Sequence, residues 1–177
     1  MSWHLGHMAA FDIESTSADP ETARMVTSCV TLVGGGRRTE ILQWLADPGV
    51  EIPAEATAIH GVSTERARTE GRPAREVIDE VTAVLAEALG SAIPIVAMNA
   101  RYDLTLLDRE CRRYELPTLL DRCVDDVLRP VIDPYVIDKA IDQYRRGKRT
   151  LSALCEHYRV ALDGAHEPAA DAMAAAR

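Results

Sequence analysis

No stretch of this 177-residue chain approaches the ~20 uninterrupted apolar residues that cross a bilayer, so neither a membrane span nor a membrane partner is expected. No basic segment followed by an apolar core opens the chain, which argues against a secretion signal. The four cysteines, Cys29, Cys111, Cys123 and Cys155, are widely scattered and form no C-x-x-C pair. Reduced thiols and a cytoplasmic location are expected, rather than a disulfide frame or a zinc site. Aromatic residues are few, one Phe, five Tyr and two Trp, too few for a broad base-stacking platform. Basic residues are outnumbered 20 to 28, giving a net charge of −8. That excludes a protein that coats nucleic acid through bulk charge, but not an enzyme that grips a few phosphates through metals and a local basic patch. There is no internal repeat, low-complexity tract or dividing linker, so residues 1–177 are read as one domain, large enough to bury a core without staples.

Met8-Ala9-Ala10-Phe11 carries no charge and leads into Asp12-Ile13-Glu14-Ser15-Thr16, a strand candidate with packed layers on both faces. Met25–Val33 and Thr39–Ala46 are further strand candidates, joined at Gly34-Gly35-Gly36-Arg37-Arg38, which reads as a hairpin turn. A Pro-punctuated loop over 47–53 precedes a short apolar run that ends at Gly61, and Ser63-Thr64 suits a helix cap. Arg75–Leu89 carries one apolar stripe, Val77, Val81, Val84, Leu85, Ala88 and Leu89, and is the clearest helix, stopped by Gly90. Ile93–Ala97 reads as a buried strand and the segment through Leu104, Leu107, Cys111 and Tyr114 as a helix. Val124–Ile132 is a strand candidate among prolines, and Tyr135–Tyr144 and Thr150–Tyr158 are helices. A meander followed by alternating helix and strand describes a mixed α/β sheet with helices on its faces.

Asp12 and Glu14 would share one face of the first strand, roughly 7 Å apart. Two ionised carboxylates there repel and are costly to desolvate, and a hard divalent cation such as Mg²⁺ or Mn²⁺ removes that penalty. D-x-E alone equally describes a solvated edge strand. Asp103 follows a buried strand at the first turn of a helix, where an acid also simply favours the macrodipole. His166 and Asp171 lie five residues apart, with Pro168 suited to a first helical position, which puts His166 in the loop before the helix. An exposed loop histidine and a surface acid would look the same. His4-x-x-His7 is a weak metal pair that a frayed chain end also explains. Arg145-Arg146-Gly147-Lys148-Arg149 is the best basic run for gripping nucleic acid, or else a solvated turn. A second basic cluster, Arg101, Arg109, Arg112 and Arg113, marks a helix face turned to water.

Four elements in this order resemble the DnaQ-like 3′–5′ exonuclease family in its histidine-containing (DEDDh) branch. They are Phe11-Asp12-Ile13-Glu14-Ser15-Thr16, Ile59-His60-Gly61-Val62, Asn99-Ala100-Arg101-Tyr102-Asp103, and His166-x-x-x-x-Asp171. The resemblance implies a ribonuclease H-like α/β fold: a five-stranded mixed sheet, with a three-stranded antiparallel meander plus parallel strands and helices on both faces. It implies two divalent cations, Mg²⁺ or Mn²⁺, bound by Asp12, Glu14, Asp103 and Asp171, with Asp12 touching both and His166 as general base. Ile13, Ser15, Thr16, Ile59, His60, Asn99 and Tyr102 are implied to contact substrate. The implied reaction is hydrolysis at the 3′ end of single-stranded or frayed DNA, releasing nucleoside monophosphates. The Ile-His-Gly loop is similar to that of the DNA polymerase III epsilon subunit and related proofreading or repair exonucleases, so a DNA polymerase is an implied partner. RNA 3′ trimming and a non-catalytic nucleic-acid- or polymerase-binding module are the alternatives, and family members occur as monomers and dimers. Ser15 stands where the family usually has threonine, and Met98 where histidine is frequent. The chain stops six residues past Asp171, where members usually continue the helix, so a final helix cut short is expected.

Overall fold

The alanine-rich approach to Asp12 becomes the central strand of the sheet. In a computed structural model describing residues 5–162 and 168–177, β1 (His7–Ser15) lies between β2 (Met25–Gly34), to which it is antiparallel, and β5 (Ile95–Val96), to which it is parallel. Small and apolar side chains with no charge let Ala9, Ala10 and Phe11 disappear completely between layers. β3 (Glu40–Asp47) completes the expected meander, and Gly34, Gly35 and Gly36 turn the hairpin with positive φ. A Cβ on Gly34 would come within 2.4 Å of the Gly6 carbonyl oxygen, so only glycine fits that close approach.

The sheet has six strands in the order β4-β3-β2-β1-β5-β6 rather than the five expected. The extra strand is β4 (Arg72–Pro73), two residues pairing in parallel with Ala46 and Asp47 at the outer edge. The strand expected over 124–132 shrinks to β6 (Val131–Ile132), parallel to β5, with a 3₁₀ turn at Val124–Asp126 in place of its first half. Pro130 has no N–H to donate to a ladder, so pairing begins only after it.

Helices α1 (Ala54–His60) and α2 (Thr64–Glu70) follow the meander, with Gly61 left-handed after α1 and the Ser63 side chain accepting from the Arg66 N–H to start α2. α3 (Ala74–Gly90) and α4 (Ala100–Arg113) cover one face of the sheet. Val77, Ile78, Val81 and Leu85 of α3 and Leu106 and Leu107 of α4 pack with Ala9, Phe11 and Ile13 of β1. Burying each such large side chain contributes about 1.5–3 kcal/mol. α5 (Pro134–Ile141) and α6 (Leu151–Tyr158) follow, and α7 (Pro168–Ala175) packs on β1 and β2. Pro168 begins α7, as its fixed φ suits. No helix among the described residues is long and apolar enough to cross a membrane.

Candidate active site

Strand alternation decides which way the acids of β1 point. Ala9, Phe11 and Ile13 belong to the core with α3 and α4, so Asp12 and Glu14 project to the opposite face, where α7 lies. α7 presents mostly alanine, with Ala172 and Ala174 buried, so its backbone comes close to the strand and brings Asp171 with it. One carboxylate oxygen each of Asp12, Glu14 and Asp171 lies within 4.8 Å of the others. Asp12 Oδ2 is buried and, among the described residues, has no hydrogen-bond partner.

Asp103 arrives from the side. The N–H of Ala9 donates to the Pro94 carbonyl at 2.9 Å, so the odd-numbered amides of β1 point toward β5. β5 stops at Val96, and two residues further along β1 the Ile13 N–H would have no strand to meet. Asp103, in the first turn of α4 and 4% exposed, accepts it through Oδ1 at 3.0 Å. The start of α4 is itself fixed from β6 onward: Asp133 accepts the Asn99 and Ala100 amides at 3.0 Å each and the Tyr135 amide at 2.9 Å. Asp133 was legible in the sequence only as a chain break, although Asp before Pro is an ordinary helix-cap signal.

These acids raise one another's proton affinity. Burial, then the charges of Asp103, Glu14 and Asp171, holds the Asp12 carboxyl well above its usual range. Burial and Asp171 push Glu14 up to about 7. Asp103 is pushed up to about 8 by burial, against the downward pull of the Ile13 and Asp103 amides and with the charges of Glu14 and Asp133 adding to the rise. A buried carboxylate oxygen without a donor, inside a cluster of hard oxygen atoms, fits a divalent cation such as Mg²⁺ or Mn²⁺.

Around the acids stand the other residues singled out in the sequence. Tyr102 Oη bonds both the Ser15 hydroxyl and the Ser17 carbonyl, and Ser15 Oγ also donates to the Ser17 carbonyl at 3.0 Å. His60 closes α1 with Nδ1 accepting from the Val62 N–H at 3.2 Å, which leaves the proton on Nε2. Burial lowers the His60 pKa, opposed by the neighbouring Ser15 backbone, so the ring is neutral near pH 7. Ile59 beside it is 54% exposed. Asn99 is exposed and left-handed at the start of α4. Ile13 turns its side chain into the core, and the Thr16 hydroxyl accepts the Arg24 N–H at 2.9 Å, so both side chains face inward. His166 and His4 lie outside the described residues.

Sequence reasoning missed the device that holds the loop after β1. Glu110, fully buried on α4, accepts from Arg24 Nε at 2.8 Å and also pairs with Arg113, while the Arg24 guanidinium meets Tyr114. Contact between residues 24 and 110 exists only after folding and leaves no local pattern.

A buried acid cluster thus lies on the central strand of a mixed sheet with helices on both faces. The chain belongs to the RNase T exonuclease family, of the DnaQ-like class: the family model, described as exonuclease, matches residues 9–177. It is 26% identical over 168 residues to the DNA polymerase III PolC-type protein of Streptococcus thermophilus, covering 94% of this chain and 10% of that protein. The PolC-type protein of Streptococcus agalactiae is 25% identical over 178 residues, covering 100% of this chain and 11% of that one. Among solved structures, Escherichia coli exonuclease I in complex with a dT13 oligonucleotide superposes with a TM-score of 0.78 at 15% identity, covering 97% of this chain and 39% of that chain. The chain therefore spans about a tenth of the length of the PolC-type relatives and about two-fifths of exonuclease I.

Proposed function

We propose that this chain hydrolyses phosphodiester bonds from the 3′ end of single-stranded or frayed DNA and releases nucleoside monophosphates. The observation that carries this reading is the convergence of Asp12, Glu14 and Asp171 within 4.8 Å, with Asp103 fastened beside them to the Ile13 amide. In this reading Asp12, Glu14, Asp103 and Asp171 would hold two divalent cations, Mg²⁺ or Mn²⁺, with Asp12 as the ligand shared between them. When bound, the cations supply a clamp on the attacking and leaving oxygens of the phosphodiester. His166, just before α7, takes the proton of the attacking water; a free imidazole is largely neutral at pH 7–8 and able to accept it. Ser15 and Tyr102, tied to each other, form a wall next to Glu14, and Ile59 and His60 border the terminal nucleotide. DNA is favoured over RNA because the PolC-type relatives are named as DNA polymerases and the exonuclease I neighbour was solved with a deoxyoligonucleotide. The same relatives support a DNA polymerase as partner and a proofreading or repair setting.

A 5′-labelled DNA oligonucleotide incubated with Mg²⁺ or Mn²⁺ tests this directly. The wild type is expected to shorten the strand from its 3′ end, and Asp12→Asn to lose about 10²–10³-fold in rate, the scale set by removing one charge-stabilising group. A matched RNA strand shortened faster than the DNA would transfer the assignment to RNA trimming. No shortening of either strand with either metal would end the nuclease reading.

A further inference from the structure

The basic run between α5 and α6 divides into two parts with opposite fates. Asp138, on α5 and only 1% exposed, collects Arg145 through Nε and Nη2 at 3.2 Å each, Arg149 Nε at 2.5 Å and the Tyr158 hydroxyl at 2.9 Å. Burial pushes the Asp138 carboxyl up, but these donors bring it down to about 2. The loop also closes on itself: Arg145 Nη1 donates to the Lys148 carbonyl at 3.2 Å and Arg149 Nη2 to the Asp142 carbonyl at 2.5 Å. Gly147 makes the reversal possible at φ +99°. With the first and last arginines drawn inward, Arg146 and Lys148 are left exposed, and among the described residues neither forms an ion pair.

A merely solvated turn needs no buried carboxylate at its base, because burying an ion pair costs more desolvation than an apolar contact would. This anchor spends that cost on fixing where two cations point. The loop holds four cations against the charges of Asp138 and Asp142, a local positive excess in a chain of net charge −8. Its position is set by α5, whose first residues are capped by Asp133, the same carboxylate that holds the start of α4 beside the acid cluster. Helix rise puts Asp138 about 7–8 Å along α5 from that cap.

We propose that Arg146 and Lys148 form a phosphate track for a single nucleic-acid strand, gripping its backbone a few nucleotides upstream of the 3′ terminus. This rests on the nuclease reading for the direction of the strand, but not for the binding itself.

The test is fluorescence anisotropy of labelled dT12 and dT3 with the full chain in EDTA, where no cleavage occurs, over a range of salt. Relative to wild type, the double variant Arg146→Ala/Lys148→Ala is expected to bind dT12 about 10- to 100-fold more weakly at 50 mM salt. Its salt slope should fall by about 1.4, two contacts at about 0.7 each. dT3, with only two internucleotide phosphates, should bind wild type far more weakly than dT12 does. Equal affinity and slope on dT12 would overturn the track, whether or not the protein cleaves DNA. Polyglutamate that displaces dT12 from wild type as readily as unlabelled dT12 does would also overturn it, in favour of an acidic protein partner. A normal slope difference in a protein that never shortens DNA would instead reject the nuclease reading and leave the track standing.

Discussion

Asp12 is the residue on which the fold spends most for its chemistry. Its carboxyl sits on the central strand, with one oxygen unmet by any donor among the described residues and the charges of Asp103, Glu14 and Asp171 close by. Ionised and without a cation, it opposes folding. Asp12→Asn keeps the shape, removes a charge and turns a donor toward the neighbouring carboxylates. The metal-free variant is therefore expected to melt above wild type at pH 8, by about 2–4 °C for each kcal/mol of relieved repulsion. Differential scanning fluorimetry in EDTA checks this, and an unchanged or lower melting temperature would contradict it. The Asp12/Glu14 pairing was legible from strand period alone. The bond from the Ile13 amide to Asp103 was not, because it exists only where β5 ends short of β1.

At the scale of elements, α4 is fastened at both ends. Its first turn gives Tyr102 and Asp103 to the site, and its last turns hold Glu110 under Arg24. Arg24 also closes the loop after β1, since its N–H meets the Thr16 hydroxyl and its carbonyl accepts the Thr16 amide at 3.0 Å. One arginine thus ties the end of β1 to the helix that carries Asp103. Arg24→Ala leaves Glu110 buried with a weakened set of partners and is expected to destabilise the protein by about 3–5 kcal/mol. Urea denaturation measures that loss, and a change under 0.5 kcal/mol would remove the clamp from the account. The helices with a continuous apolar stripe, α3 above all, were readable because burial and period coincide. α2 was seen only as its cap, since Ala67 is its single buried residue. The strand over 124–132 was overread because apolar content there was counted without the break that Pro130 imposes.

For the whole molecule, the order of strands and helices followed from the sequence, and the sixth strand did not, because a two-residue edge pairing has no pattern of its own. The charge behaviour of the assembled site does have a global signature. Glu14 at about 7 and Asp103 at about 8 hold protons in the folded chain that an unfolded chain has released by about pH 4–5. Their contribution to stability is complete below the unfolded values and is lost as pH rises through 7 and 8. Metal-free protein is thus expected to lose melting temperature between pH 6 and 8.5, and Mn²⁺ to raise it more at 8.5 than at 6, since cation and proton compete for the same oxygens. A melting temperature that climbs over this range without metal would refute the assignment.

α7 rests closely on β1 and β2, with Ala172 and Ala174 buried beneath it. It delivers Asp171. Cations held as proposed would join the strand to this helix, so ion capture and helix seating would reinforce each other. Their loading would then act as a latch on the architecture as well as a supply of chemistry.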